Sequence, residues 1–164
     1  MAHLANKPSF IEAQGRRFLI IDAPNDVNIE SYIKEFKKKH VTDVVRACEP
    51  SYSKERVEKT GVHVHDMPFT DGDPPPPDVV GKFLALCDQK FVAGTSKTDT
   101  IAVHCVAGLG RSPVLVAIAL IEAGLPALDA VAMVRSKRRG AINVKQLAFL
   151  EGYKRRGGGC CVVM

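Results

Sequence analysis

The segment of residues 101–123, IAVHCVAGLGRSPVLVAIALIEA, constrains the fold of this chain more than any other stretch. It begins with a short apolar, β-prone run and continues through small residues. It ends in a long apolar run that has no internal glycine or proline. This order predicts a buried strand, a tight loop and a buried helix that begins near Arg111.

The same order of elements favours an anion-binding loop. A helix that begins near Arg111 directs its free N–H groups and the positive end of its dipole into the loop. Glycines let the loop backbone turn successive N–H groups inward as a concave nest, and Pro113 lies in the first helical turn, where no N–H is needed. We therefore predict a phosphate site whose N–H donors are those of Val106, Ala107, Gly108, Leu109, Gly110 and Arg111.

Two side chains of this segment would act on the bound anion. The field of the helix N-terminus also favours a thiolate at Cys105, and Arg111 offers a planar guanidinium to two phosphoryl oxygens. A structural cysteine is the alternative for an isolated C-x5-R pattern. The extended sequence HCVAGLGRS between a strand and a helix is much more specific. We predict a nucleophilic cysteine that forms a phosphocysteine intermediate.

This loop is similar to the signature loop of cysteine-dependent protein tyrosine phosphatases. HCVAGLGR followed by PVLVAIALIEAG resembles, more narrowly, the PRL (phosphatase of regenerating liver) family of small prenylated phosphatases, and the resemblance extends over residues 17–164. It implies the compact phosphatase fold and protein tyrosine or dual-specificity phosphatase activity, without cofactor or metal. The sequence itself offers no clustered metal ligands.

Predicted strands and helices alternate along the rest of the chain. A polar Gln14-Gly15 turn predicts an edge hairpin, and Asn28 and Asn143 are predicted helix N-caps. The alternation predicts a single-domain α/β fold with a mostly parallel sheet, helices on both faces and a site at the carboxyl ends of the strands. We predict a phosphatase domain over residues 1–156 and a tail over residues 157–164.

Ester cleavage also needs a proton donor for the leaving oxygen. Asp71 is the predicted acid because it lies on a loop rich in proline and glycine, 34 positions before Cys105, which leaves room for one helix and one strand. Asp66 and Asp73 are alternative acids, and a turn aspartate beside Gly72 is the structural alternative.

The resemblance supports the choice of Asp71. The segment MPFTDG resembles the acid loop W-P-F-[DE]-D-G of the PRL family, in which the aspartate at this position acts. The loop departs from that pattern at Met67 and Thr70, and this difference concerns how the loop packs and closes.

The residue after the arginine also departs from the family. PRL proteins usually have alanine there, whereas this chain has Ser112. A hydroxyl at this position can donate to the sulfur of Cys105 as that sulfur leaves phosphorus. We predict that the phosphoenzyme breaks down faster than in PRL proteins generally. His104 is predicted to orient the loop by hydrogen bonding.

Cys48 follows a predicted buried strand in the segment VRACEPSY, which is similar to a PRL segment. Five cysteines in a chain without an apparent signal peptide favour a reducing compartment. The resemblance implies a reversible disulfide between Cys48 and Cys105, the arrangement of a redox sensor. The alternative is a small buried hydrophobic residue, as expected of Cys87.

The last four residues, CVVM, fit a C-a-a-X pattern that favours farnesylation of Cys161, and acylation of Cys160 remains open. One prenyl chain binds membranes only marginally, so a basic segment is the expected second signal. The chain carries a net +7 from Arg135 onward and −2 before it. We expect an anionic membrane partner and location at the cytoplasmic face of plasma and endosomal membranes, with a cytosolic pool. The basic segment expected to contact the membrane consists of two clusters, at residues 135–139 and 154–156.

The sequence is compatible with several functions. Phosphotyrosine proteins are the default substrates, and phosphoinositides are the alternative. The resemblance also implies a low-activity binding module for CBS-domain magnesium transport mediators, and a homotrimer. A sulfurtransferase is disfavoured because its cysteine loop would not need the Asp71 loop. Nucleic-acid binding is disfavoured because no aromatic residues alternate with the basic ones.

Overall fold

The computed structural model describes residue 4 and residues 6–156. Within this part of the chain, five strands form one sheet in the order β1-β2-β5-β3-β4. Strand β1 pairs with β2 in antiparallel fashion, and all other neighbours are parallel. The strands are β1 Ser9–Ala13, β2 Arg16–Ile21, β3 Val41–Arg46, β4 His63–Asp66 and β5 Thr100–His104.

Six α-helices connect or follow the strands in the described residues. The third of them continues into a π-helical turn over Asp88–Val92. None of these helices is both long and apolar enough to cross a bilayer. The helices are α1 Ile29–Lys38, α2 Lys54–Glu58, α3 Pro77–Cys87, α4 Arg111–Glu122, α5 Ala127–Lys137 and α6 Val144–Glu151.

The predicted edge hairpin is present. Gln14 and Gly15 both have positive φ angles, 53° and 74°. Two successive residues of this kind form the tight turn whose twist matches that of paired antiparallel strands. The turn places β1 at the edge of the sheet, so that β2 lies between β1 and β5.

Helices cover both faces of the sheet and divide the core into two clusters. On one face, α4 is surrounded by the sheet and by α3, α5 and α6, and all of its residues except the last are buried. This position explains its unbroken apolar sequence, because a helix that is apolar all round must be enclosed. On the other face, α1 buries Ile29, Tyr32, Ile33 and Phe36 along one side. The predicted α/β class is thus confirmed.

The strand register brings three chain segments to one edge of the sheet. Arg46 at the end of β3 lies opposite His104 of β5 and Asp66 of β4. Because these strands are parallel, the residues that follow them emerge side by side. The segments that begin after Arg46, Asp66 and His104 therefore form the candidate site.

Candidate active site

The loop that joins β5 to α4 has its carbonyl groups turned outward. The carbonyls of residues 106–109 accept hydrogen bonds in order from Ala23 N–H at 2.9 Å, from Arg138 at 3.1 and 3.2 Å, and from Ile142 N–H at 2.8 Å. In a trans peptide the N–H points opposite to the C=O. The N–H groups of residues 107–110 consequently point into the loop, where they can bind an anion.

Cys105 lies at the start of this loop and is 3% exposed. Its Sγ is 3.4 Å from the Ser112 Oγ. Burial raises the pKa of the Cys105 thiol, but hydrogen bonds from the Ser112 hydroxyl and from the N–H groups of Ser112, Gly110 and Gly108 outweigh burial and hold the pKa below its ordinary value. A thiolate in this position is a competent nucleophile.

Arg111 begins α4 and lies over the same loop, 8% exposed. Its Nη1 donates to the Phe69 carbonyl at 3.2 Å. Its Nε is buried and has no hydrogen-bond partner among the described residues. An unpaired buried donor costs about 1–3 kcal/mol, which indicates a group that donates to a bound oxyanion.

Asp71 lies on the loop between β4 and α3, and its side chain is 81% exposed. Its Oδ1 is 3.6 Å from the Arg111 Nε. The carboxylate therefore faces the guanidinium that would hold the phosphoryl group, and it remains open to solvent and to substrate. This is a suitable position for a group that must give a proton to a leaving oxygen and later accept one from water.

The two alternative acids are engaged elsewhere. Asp66 accepts two hydrogen bonds from Arg46, at 2.6 and 3.0 Å, and these bonds lower the pKa of its carboxyl. Asp73 forms an ion pair with Lys145 at 2.6 Å. The geometry thus favours Asp71 over both.

Helix α6 holds the acid loop, a contact that sequence reasoning missed. Asn143 Nδ2 donates to the Gly72 carbonyl at 3.1 Å, and Gln146 Nε2 donates to the Asp73 carbonyl at 3.4 Å. The two side chains also form a reciprocal capping box at the start of α6. The sequence predicted Asn143 as an N-cap. The N-x-x-Q spacing could also have indicated Gln146 as the second residue of the capping box.

Gln146 also links the acid loop to the phosphate-binding loop. It is fully buried, and a Cβ at Gly110 would lie 3.2 Å from its Nε2. One side chain therefore contacts both loops, so the two candidate catalytic segments are packed against a common support.

Met67, the first departure from the family's acid loop, is buried in the same core cluster as Cys105. Its N–H donates to the Arg46 carbonyl at 2.9 Å. The second departure, Thr70, offers its carbonyl to the Asp73 N–H at 3.2 Å. Met67 thus anchors the start of the loop to β3, and Thr70 begins a turn that contains Asp71.

His104 is the last residue of β5, directly before the phosphate-binding loop, and it is fully buried. Burial lowers the pKa of its imidazole to about 4, so the ring is neutral near pH 7. Its Nδ1 is 3.1 Å from the Cys105 carbonyl and its Nε2 is 2.8 Å from the Tyr52 hydroxyl. Since a carbonyl only accepts, Nδ1 carries the proton and Tyr52 donates to Nε2. This arrangement fits the predicted orienting role.

Cys48 follows β3 and is buried next to the site. Its Sγ lies 3.9 Å from the His104 Nδ1. Burial raises the pKa of the Cys48 thiol, and the nearby charge of Cys105 raises it further. Cys48, Cys87 and Cys105 are all free thiols in the structure, and Cys87 packs in the core as expected. The pairing of Cys48 with Cys105 remains a prediction.

The basic cluster at the end of α5 is less available than the charge pattern indicated. Arg138 is buried and pairs with Asp22 at 2.6 Å, and Arg135 donates to two carbonyls of the loop before α6. Farther on, Arg156 pairs with Glu122 at 2.9 Å. A charge count cannot distinguish cations used inside the fold from surface cations. The remaining basic residues of the two clusters are Lys137, Arg139, Lys154 and Arg155.

The predicted prenylation site Cys161 and its neighbour Cys160 lie outside the described residues, as does the predicted tail of residues 157–164. Among the residues that the structure describes, no group of three or more histidine, cysteine or acidic side chains could hold a metal ion.

Comparison with known proteins agrees with this geometry. Residues 22–151 match the family model for protein-tyrosine phosphatase. A type IVA protein tyrosine phosphatase of Dictyostelium discoideum is 48% identical over 161 residues, which cover 98% of this chain and 96% of that protein. The PRL-1 phosphatase of Drosophila melanogaster is 52% identical over 147 residues, 90% of this chain and 82% of that one.

A solved structure of a protein tyrosine phosphatase from Leishmania major superposes with a TM-score of 0.82 at 41% identity, and covers 92% of this chain and 100% of that chain. The fold and the site define a cysteine-dependent protein tyrosine phosphatase. Within that class, the chain belongs to the type IVA, or PRL, family.

Proposed function

We propose that this phosphatase hydrolyses phosphate monoesters through a covalent phosphocysteine at Cys105. The Cys105 thiolate attacks phosphorus in line, a sulfur–phosphorus bond forms, and the bond to the leaving oxygen breaks while Asp71 donates a proton to that oxygen. The observation that carries this proposal is the buried Nε of Arg111, which has no hydrogen-bond partner among the described residues and belongs to the helix whose N-terminal N–H groups donate to the Cys105 sulfur.

The developing charge on the phosphoryl oxygens is stabilised by fixed donors. The N–H groups of residues 106–111 and the guanidinium of Arg111 surround the position of the equatorial oxygens. Those of residues 107–110 are already oriented by the outward hydrogen bonds of the preceding carbonyls. Little reorganisation is therefore needed as the transition state forms.

In the second step, Asp71 accepts a proton from water, which attacks phosphorus and releases inorganic phosphate. The sulfur–phosphorus bond breaks, and Cys105 leaves as a thiolate. The Ser112 hydroxyl, 3.4 Å from Sγ, donates to that sulfur as its charge returns. Rapid-quench detection of the phosphoenzyme tests this role. Ser112→Ala should accumulate phosphoenzyme, and unchanged accumulation and turnover would refute it.

The experiment that tests the proposed mechanism is turnover of a phosphotyrosine peptide by the reduced protein. Cys105→Ser should abolish release of phosphate, because a serine hydroxyl at this position lacks the nucleophilicity of a thiolate. Cys87→Ser is the matched control, because Cys87 is a buried cysteine at the end of α3 and is not part of the phosphate-binding loop. Retained turnover in Cys105→Ser would contradict the assignment.

The substrate class within the phosphatase reaction is a further part of the proposal. Phosphotyrosine proteins are the default, with dual specificity, and phosphoinositide headgroups are the alternative supported by the exposed basic residues. A panel of phosphotyrosine, phosphothreonine and phosphatidylinositol phosphate substrates, with Cys105→Ser as the blank, distinguishes them by kcat/KM.

We also propose farnesylation of Cys161 as a membrane tether at the cytoplasmic face of plasma and endosomal membranes. The C-terminal sequence supports this proposal, and nearby Lys154 and Arg155 would add attraction to anionic lipid, about 1 kcal/mol for each cation near the surface. The test is sedimentation with membranes from cells. Cys161→Ser protein should remain in the supernatant, whereas sedimentation equal to wild type would exclude the tether.

Oxidation of Cys48 and Cys105 to a disulfide is proposed as a reversible switch. Peroxide would oxidise the Cys105 thiolate to a sulfenic acid, and the Cys48 thiol would displace water to form the disulfide. The burial of both residues beside His104 supports it. Mass spectrometry after mild peroxide should find a linked Cys48–Cys105 peptide, and its absence at full loss of activity would contradict the switch.

Docking to CBS-domain magnesium transport mediators and assembly into a trimer are proposals that come from the family resemblance. A pull-down with Asp71→Ala separates docking from chemistry. Retention of the mediator by this variant would support a binding role, and loss of mediator from both wild type and variant would exclude it. Analytical ultracentrifugation of the full chain tests the trimer.

A further inference from the structure

Arg138 lies just after α5 and is 6% exposed, yet it carries more polar contacts than its place at a helix end requires. Its Nε donates to the Gly108 carbonyl at 3.2 Å, and its Nη2 donates to the Ala107 carbonyl at 3.1 Å. Nη2 also pairs with Asp22 Oδ1 at 2.6 Å. The guanidinium thus lies on the outer side of the phosphate-binding loop, opposite the inward N–H groups.

The peptide between Ala107 and Gly108 connects Arg138 to the nucleophile. The C=O of this peptide accepts from Arg138, and its N–H donates to the sulfur of Cys105. Because the two dipolar groups of a trans peptide point in opposite directions, fixing the carbonyl from outside aims the N–H inward. The cation also polarises the peptide in the direction that strengthens the N–H as a donor to a thiolate.

The loop is shaped to permit this approach. Gly108 has a φ of +68°, and a Cβ at this position would lie 2.6 Å from the Arg138 Nη2 and 2.9 Å from the Ile21 carbonyl. Both the backbone angle and the space therefore demand glycine. A side chain here would displace the guanidinium from the two carbonyls.

A second set of contacts fixes the guanidinium itself. Its Nη1 donates to the Lys7 carbonyl at 2.9 Å and to the Ser9 Oγ at 3.3 Å. Together with Asp22, these groups come from the two strands of the edge hairpin and the segments next to them. A buried cation with a carboxylate partner and several acceptors is held in one orientation.

We propose that Arg138 is a positioning residue for the phosphatase reaction, which acts through the Ala107–Gly108 peptide to hold a hydrogen-bond donor on the Cys105 thiolate. Asp22 and the edge hairpin keep Arg138 in place for this task. Arg138 never touches substrate, in contrast to Arg111. The inference rests on the proposed function of Cys105 as the nucleophile.

The test is the pH dependence of Cys105 alkylation by iodoacetamide in the full chain, followed by mass spectrometry of the Cys105 peptide so that other cysteines do not contribute. Arg138→Met should move the midpoint upward by about one pH unit, which corresponds to about tenfold less thiolate below the midpoint. The rise of kcat/KM with pH should move by the same amount. Arg138→Lys, which restores a cation, should recover part of the shift.

Arg17→Met is the matched control. The side chain of Arg17 is 17% exposed and donates to the Thr100 hydroxyl and the Glu12 carboxylate, outside the phosphate-binding loop. We expect this variant to lower Tm and to leave the alkylation midpoint at its wild-type value. If Arg17→Met and Arg138→Met lower Tm alike and neither moves the midpoint, Arg138 is merely structural and the proposal is overturned.

Asp22→Asn keeps the test decisive if Arg138→Met does not fold. It leaves Arg138 in the chain but removes the carboxylate that orients it, so a smaller upward shift of the midpoint is expected. A wild-type midpoint in both Asp22→Asn and Arg138→Lys would overturn the proposal. A wild-type protein whose Cys105 alkylates only well above neutrality would instead refute the proposed nucleophile, so the two failures are distinguishable.

Discussion

The phosphate-binding loop and the acid loop meet in one site but are built differently. The first, residues 105–110, lies between a buried strand and a buried helix, and all the carbonyls of residues 106–109 are hydrogen-bonded. The second carries Asp71 in solvent and is held mainly by side chains of α6. The difference indicates that the first loop is fixed through its own backbone carbonyls, whereas the second depends on side-chain contacts from a distant part of the chain.

The largest loss of activity is expected when Arg111, which follows the phosphate-binding loop, is replaced. Arg111→Lys keeps the charge but cannot present two parallel donors to phosphoryl oxygens, so kcat should fall about 10³-fold. Steady-state kinetics with a phosphotyrosine peptide measures the effect, and a melting curve controls for folding. A fall in kcat of less than tenfold would indicate that a positive charge alone is enough to stabilise the phosphoryl oxygens, and that the planar guanidinium is not required.

Removal of the acid should have a smaller and more selective effect. Asp71→Asn should lower kcat about 10²-fold for a phosphotyrosine peptide and much less for an ester whose leaving group needs no proton. The alkylation profile of Cys105 should stay at its wild-type position, because Asp71 does not contact the sulfur. Asp73→Asn, which breaks only the ion pair with Lys145, is the control. Equal losses in the two variants would reopen the choice of acid.

The fixed loop should also make stability depend on pH. His104 has a pKa of about 4 in the folded protein and about 6.5 in the unfolded chain, so between these values the unfolded chain binds the additional proton. The free energy of unfolding should therefore be fully retained above about pH 6.5 and fall as pH decreases, by about 2 kcal/mol between pH 7 and pH 5.

Urea titrations at both pH values measure this change. His104→Asn, which cannot titrate, should flatten the dependence over the same range. An equal slope in wild type and variant would mean that another group is responsible.

The smallest effect is expected from loosening the acid loop. Asn143→Ala removes the hydrogen bond to the Gly72 carbonyl and the N-cap of α6, so kcat should fall roughly 3- to 10-fold and stability by about 1 kcal/mol. Asn28→Ala at the N-terminus of α1 is the control, because that position has no contact with the acid loop. A wild-type kcat in Asn143→Ala would show that α6 does not hold Asp71 in its working position.

These differences also explain what could be predicted from the sequence. The strand, loop and helix around Cys105 are encoded by neighbouring residues, and the alternation of apolar runs defines the parallel sheet and its site edge. Asp71 could be selected because its loop has a recognisable composition. The roles of Asn143 and Gln146 could not, because their partners lie more than 70 positions away and no local pattern records such contacts.

Arg138 is the clearest example of this limit. In the sequence it is one of several cations near the C-terminus, and the simplest interpretation is a membrane-facing charge. Its burial depends on the position of Asp22 and of the Lys7 carbonyl, which only the assembled hairpin supplies. The sequence gives the number of cations, but it does not show which of them are buried in ion pairs within the fold.

The contact between the Lys7 carbonyl and Arg138 joins positions 131 residues apart. During synthesis the first of these groups leaves the ribosome long before the second, and the nucleophile at Cys105 is translated in between. A nascent chain that ends before α5 therefore contains the complete loop sequence without the support that orients it. On the proposed role of Arg138, the thiol of Cys105 therefore reaches its lowered pKa only after both ends of this contact have been synthesised and have come together.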